Sequence, residues 1–178
     1  TASRLSPDTY SYNSAIAACA QRGRWQEAEM LVQDMRERGL SPDLYTHNNL
    51  INAYAEAEEC DKALQVLEDI PLRGLSPDTV SFNVALKACA GAGQWRQAMD
   101  TLEEMRAMDV AMDAFTFSHA IQACCAGNDR VGALSLVAEM RSRGIALGMK
   151  TYHAITDAFG PTALSQGQRP GAQLGPAP

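Results

Sequence analysis

Two residue types in this chain recur in a register that could do chemistry. Asparagine stands at 13, 48 and 83, and aspartate at 8, 43, 78 and 113, each column repeating every 35 residues. The chemistry on offer is hydrogen bonding: a carboxylate only accepts, whereas a side-chain amide both donates and accepts. Aspartate ahead of a helix is first of all an N-cap, and asparagine near a first turn can bond the local backbone. Asparagine in mid-helix is nevertheless a poor helix former, so its return at one period points to a use outside folding. The other reactive types form no constellation. His47, His119 and His153 have no accompanying Ser or Cys nucleophile and Asp, and no glycine-rich phosphate loop is present. Cys124 and Cys125 lie near His119, but adjacent cysteines point in different directions on a helix and no second ligand pair has zinc spacing. Catalysis, a cofactor and a metal are therefore not expected.

Composition bounds the remaining classes. The 178 residues are 46% hydrophobic, and no apolar run approaches the roughly 18 residues of a membrane span. Fifteen Lys and Arg against 21 Asp and Glu give a net charge of −6. That balance is the opposite of a general nucleic-acid binder, so any such role must be local. Five cysteines, an odd number, argue against a disulfide-stapled scaffold and for a reducing compartment. No targeting peptide is visible, and the chain opens on Thr1 rather than methionine, as a fragment or processed form would.

The elements that must position the Asn and Asp columns follow from the same period. Ser6-Pro7-Asp8 returns as Ser41-Pro42-Asp43 and Ser76-Pro77-Asp78, with Met112-Asp113 in the next slot. In register are Ala28, Ala63, Ala98 and Ala133; Met35, Ile70, Met105 and Met140; and Gly39, Gly74 and Gly144. Four full units result, 9–43, 44–78, 79–113 and 114–148, followed by a partial unit at 149–160. Residues 1–8 resemble the tail of an upstream unit, and 161–178, rich in Gly, Pro, Ala and Gln, should be a disordered linker. In the first unit, helical spacing predicts one helix from Thr9 to about Gln21 and a second from Trp25 to about Arg38. Pro71 should shorten or kink the second helix of its unit.

Each first helix has two faces. Tyr12, Ile16 and Cys19 follow i, i+4, i+7 spacing, as do His47, Ile51 and Tyr54; Phe82, Leu86 and Cys89; and Phe117, Ile121 and Cys124. That stripe is the core, with the cysteines as small buried thiols. The other face carries Tyr10 with Asn13, Tyr45 with Asn48, Val80 with Asn83, and Phe115 with Ser118. A hairpin cannot bury its stripe alone, so an all-α solenoid of stacked helix-turn-helix units is expected, its first helices lining a concave groove. Trp25 and Trp95, opening second helices, read as packing anchors.

At Pro-Asp-x-x-Ser-Tyr-Asn (7–13), its relatives at 42–48 and 77–83, and the shared Ala, Met and Gly columns, the chain resembles the pentatricopeptide repeat family, plain 35-residue class. A tetratricopeptide array would run at 34 residues with different anchors. The resemblance implies sequence-specific binding of single-stranded RNA, one base per repeat, in organellar RNA processing, stabilisation or translation, in a plastid or mitochondrion. It implies partners among RNA and other RNA-processing proteins, no DNA and no membrane. The family's base-reading pairs fall on Asn13 with Asp43, Asn48 with Asp78, Asn83 with Asp113, and Ser118 with Gly148. Its base-sandwiching position falls on Tyr10, Tyr45, Val80 and Phe115.

Given that assignment, an acceptor-only carboxylate suits an imino N–H, which uracil and guanine have and adenine and cytosine lack. An amide partner leaves room for a pyrimidine and a short hydroxyl for a purine, so the expected pattern is U-U-U-purine. One departure weighs against tight binding. The family often has lysine near the end of the first helix, and those slots hold Gln21, Glu56, Gly91 and Ala126. Two rival readings are a protein-binding helical scaffold, which the acidic charge favours, and the targeting half of an RNA-processing nuclease whose catalytic domain lies beyond the linker.

Overall fold

An aspartate opens four of the five first helices. In the computed structural model, which describes residues 7–164, Asp8, Asp43, Asp78 and Asp113 accept the third helical amide of α1 (Thr9–Ala20), α3 (Leu44–Glu56), α5 (Thr79–Ala92) and α7 (Ala114–Ala126). Three of these ends are capping boxes, in which Thr46, Ser81 or Thr116 bonds back to the aspartate's own N–H. The second helices are α2 (Trp25–Glu37), α4 (Cys60–Leu72), α6 (Trp95–Ala107) and α8 (Arg130–Ser142), and α9 (Met149–Phe159) begins the fifth unit. No strand occurs among the described residues.

Second helices end in one recurring turn. Gly39, Gly74 and Gly144 adopt φ of 77°, 75° and 71°, and the amide after each returns to the carbonyl at the Met35, Ile70 or Met140 column. Asp109 fills the glycine slot of the third unit at φ 54°, which a short polar side chain tolerates.

Packing sets the curvature. Successive first helices lie directly against one another, α1 on α3, α3 on α5, α5 on α7 and α7 on α9. The second helices α2, α4 and α6 each pack on the first helices to either side and α8 packs on α7, while second helices meet one another through side chains such as Gln97 with Asp61 and Arg106 with Glu139. The first helices therefore form the tighter, inner layer of a solenoid. Ile16, Ile51, Phe82, Leu86, Phe117 and Ile121 are fully buried between the layers, and the alanines at 28, 63, 98 and 133 let the second helices approach closely. Truncating Phe82 or Phe117 to alanine should cost about 3–5 kcal/mol.

Two expectations need adjusting. Pro71 does not shorten its helix: α4 has the same 13 residues as α2 and α6. The proline sits at the penultimate position, exposed, so its missing N–H removes one bond of the last turn, and the Ile70 and Pro71 carbonyls still accept from Arg73 and Gly74. Of the segment expected to be a linker, residues 161–164 form a turn that buries Ala163. Residues 165–178 lie outside the described residues, as do residues 1–6 of the expected upstream tail.

Candidate nucleic-acid interface

The inner face is built from the second and fifth residues of each first helix, which share a side at i, i+3 spacing. Tyr10, Tyr45, Val80 and Phe115 project from it, between 54% and 79% exposed despite being apolar. Apolar side chains scattered singly over a surface are ordinary, whereas these line up at the repeat spacing along one face. Between Tyr45 and Val80 lies a cleft of about 610 Å³ whose walls include Asn48, Asn52, Asp78 and Val84.

Deeper in the face, each asparagine meets the next unit's cap. Asn13 Nδ2 donates to Asp43 Oδ1 and Oδ2 at 3.2 and 3.3 Å; Asn48 Nδ2 to Asp78 Oδ1 at 3.4 Å; and Asn83 Nδ2 to Asp113 Oδ1 and Oδ2 at 3.1 and 3.3 Å. The three pairs singled out in the sequence are thus brought together, each across a repeat junction. A third residue joins them that the sequence reading missed. Thr46 Oγ1 lies 2.6 Å from Asn13 Oδ1, Ser81 Oγ 2.7 Å from Asn48 Oδ1, and Thr116 Oγ1 2.7 Å from Asn83 Oδ1. The signal was available: Ser11, Thr46, Ser81, Thr116 and Thr151 form a hydroxyl column with the same 35-residue period.

Burial would raise the Asp43 carboxyl, but the amide and hydroxyl of Thr46 and the amide of Asn13 outweigh it and hold the group below its ordinary value. Asp113 is lowered against the same desolvation by Thr116, Asn83 and the Phe115 amide. Both are carboxylates at neutral pH.

The fourth junction differs. Gly148 supplies no side chain, α9 has no side-chain cap, and Ser118 Oγ pairs with Thr151 Oγ1 at 2.7 Å while accepting from Gln122 Nε2 at 2.8 Å. Ser118 and Gly148 therefore offer hydroxyl chemistry alone.

Two lysines lie on this face, Lys87 and, as the exposed second residue of α9, Lys150. Lys87 donates to Asn52 Oδ1 at 2.9 Å and is ion-paired with Glu56. The tryptophans pack at the hairpin turns: Trp25 lies 5.6 Å from Tyr54, with Lys62 Nζ 3.4 Å over its ring. Trp95 sits so close to Gly127 that a Cβ there would meet its Cδ1 at 2.1 Å. His47, expected in the core stripe, is buried, its Nδ1 2.8 Å from the Asp43 carbonyl. Cys89 and Cys124 are buried with it, and Cys19 is half-buried. Among the described residues no three His, Cys, Asp or Glu side chains converge as a metal site.

The model of the PPR repeat family matches residues 7–56, 46–91 and 77–126, and that of the PPR repeat matches 115–145. No curated protein sequence matches the chain. Among solved structures, the pentatricopeptide repeat protein PPR10 in complex with an 18-nt psaJ RNA element is 22% identical with a TM-score of 0.79, over 93% of this chain and 27% of that one. PPR10 from maize is 25% identical at a TM-score of 0.76, over 90% of this chain and 23% of that one. The PPR domain of Arabidopsis thaliana protein-only RNase P 1, in complex with tRNA, is 16% identical at a TM-score of 0.70, over 86% and 83%. The chain spans about a quarter of the length of PPR10. With repeat models covering residues 7–145 in the register of the helices, the chain belongs to the pentatricopeptide repeat family.

Proposed function

We propose that the concave groove binds single-stranded RNA, one base at each repeat junction, without a reaction of its own. The observation that carries this reading is the threefold recurrence of an amide donor beside a carboxylate acceptor, set among exposed apolar side chains. Tyr10, Tyr45, Val80 and Phe115 flank the bases; where the flank is aromatic, stacking contributes about 1–3 kcal/mol per base without sequence preference. Asn13–Asp43, Asn48–Asp78 and Asn83–Asp113 take uridine: the carboxylate accepts the imino N–H, the amide donates to a neighbouring carbonyl, and the length of asparagine excludes a purine. Ser118 with Gly148 leaves room for a purine and demands no imino proton. The RNA-bound relatives support the ligand class, PPR10 being solved with an RNA element and the RNase P 1 domain with tRNA. Action on organellar transcripts is the corresponding cellular role.

The competing reading is a protein-binding scaffold. What favours it is the neutralisation of Lys87 by Asn52 and Glu56, which leaves the groove without a free cation there. Homopolymer competition decides between them: poly-U should displace a labelled RNA ahead of poly-A and poly-C, with a shallow dependence on salt. Equal binding of all homopolymers, or none, would remove the uridine assignment.

A further inference from the structure

We infer that the hydroxyls of Thr46, Ser81 and Thr116 determine which base edge each junction accepts, by locking the polarity of the asparagine amide. The inference rests on the groove-reading function proposed above and adds three specificity-determining residues to it.

Hydrogens, counted at each junction, fix that polarity. The Asp43 carboxylate has none, so the atom of Asn13 that faces it at 3.2 and 3.3 Å must be the NH₂. The amide oxygen is then the atom 2.6 Å from Thr46 Oγ1. Two oxygens at that distance need a hydrogen between them, and only the threonine can supply it. The hydroxyl accepts from the Asp43 N–H at 3.2 Å and also lies 2.8 Å from Asp43 Oδ1, but that oxygen already accepts from the Thr46 N–H at 2.8 Å and the Asn13 contact is the shorter, so the single proton is assigned to Asn13. The second junction repeats this with Ser81 on Asn48 at 2.7 Å and the Asp78 N–H at 3.2 Å. The third does so with Thr116 on Asn83 at 2.7 Å and the Asp113 N–H at 3.0 Å.

What remains for a ligand is one amide N–H and the less-used carboxylate oxygen, a donor beside an acceptor. Uracil and guanine present the complementary carbonyl beside an imino N–H. Cytosine and adenine present an amino group beside an unprotonated ring nitrogen and are refused. Without the hydroxyl proton, the amide oxygen loses its partner and nothing but the carboxylate opposes rotation of the amide toward the groove. Its C=O can then accept an amino group, and the refusal weakens. The column thus separates keto from amino bases, while the asparagine's length separates uracil from guanine.

The test is the triple variant Thr46→Val, Ser81→Ala, Thr116→Val, compared with wild type for binding to poly-U and poly-C, with a helical circular-dichroism melt as the fold check. The poly-U to poly-C affinity ratio should fall at least about tenfold while RNA binding persists. The exchange Thr46→Ser, Ser81→Thr, Thr116→Ser should keep the wild-type ratio, because the proton is retained. A folded triple variant with an unchanged ratio would overturn the inference, leaving the hydroxyls as helix caps and the groove reading intact. A wild type that binds RNA without preferring poly-U would instead refute the groove reading, and this inference with it. Should the triple variant not fold, Ser81→Ala alone, measured on RNAs differing at one base between fixed neighbours, puts the same question to one junction: a lost preference for uracil over cytosine there supports the inference, and an unchanged one overturns it.

Discussion

The first three junctions and the fourth are built on the same backbone and differ in a few side chains. At the first three, one aspartate caps a helix with Oδ1 and meets the preceding unit's asparagine, so the proposed recognition uses a residue that folding already employs. At the fourth, Gly148 adopts the same extended conformation, φ −74° and ψ 156°, but leaves α9 uncapped and the groove without a carboxylate. In the proposed function, N-capping and base reading are therefore not alternative explanations of the aspartate column. The contrast shows that the fold accommodates a junction without the carboxylate.

The largest effect should come from breaking the amide side of a reading junction. Asn48→Thr keeps the Asp78 acceptor but shortens its partner, so guanine should replace uracil at that position alone, a shift of roughly 1–3 kcal/mol in discrimination. Binding to RNAs that differ at one base measures it; a folded variant that keeps the wild-type preference would return Asn48 to a structural role. Next is the shared carboxylate. Asp43→Ala should lose about 1 kcal/mol of stability from the cap, and imino selectivity at the first junction along with it. Denaturant melts and single-base RNAs follow the two losses, and a change in only one would separate the cap from the proposed base reading.

A third change converts the fourth junction toward the others. A Cβ on Gly148 would meet nothing within 4 Å, so Gly148→Asp should be accommodated, raise stability by a few tenths of a kcal/mol and, beside the short Ser118, create a preference for guanine. An unchanged base preference in that variant would mean that the carboxylate is not what distinguishes the junctions.

The smallest expected effect concerns the core behind the second reading pair, where His47 stands in the column of Phe82 and Phe117. Burial, with Arg73 and Arg36 nearby, holds its pKa below the ordinary value against the raising effect of the Asp43 carbonyl. The folded state therefore favours the neutral ring. Its contribution is complete above the unfolded pKa of about 6.5 and is lost as pH falls through that value. Stability should decline from pH 7.5 to 5.5, and His47→Phe should flatten part of that slope; thermal melts across the range check it. His119, lowered by burial and by Lys87, accounts for a further share. Asp43 and Asp113, both lowered, stay charged throughout, so the base preference should not move in this window.

The fold was legible because the 35-residue register repeats its caps, glycines and apolar stripes, and each copy reinforces the others. Asn13, Asn48 and Asn83 stood out because asparagine is unusual in mid-helix. Thr46, Ser81 and Thr116 did not, because serine and threonine alternate in the column and either is ordinary in a first turn. Their role depends on a partner 33 residues away, which no local rule reports. Pro71 misled for the opposite reason. A strong local rule applies to helix interiors, and the packed α4 carries the residue in its last turn, where the rule has little force.

In the proposed function, a base is read by the amide and carboxylate of each of the first three junctions. NMR of the asparagine side-chain NH₂ groups tests it most directly, in titrations with oligo-U and, separately, oligo-C. The expected result is that the Asn13, Asn48 and Asn83 amide protons shift with oligo-U and respond little to oligo-C. Shifts that are the same for both oligomers, or that fall only on residues outside the inner face, would contradict it.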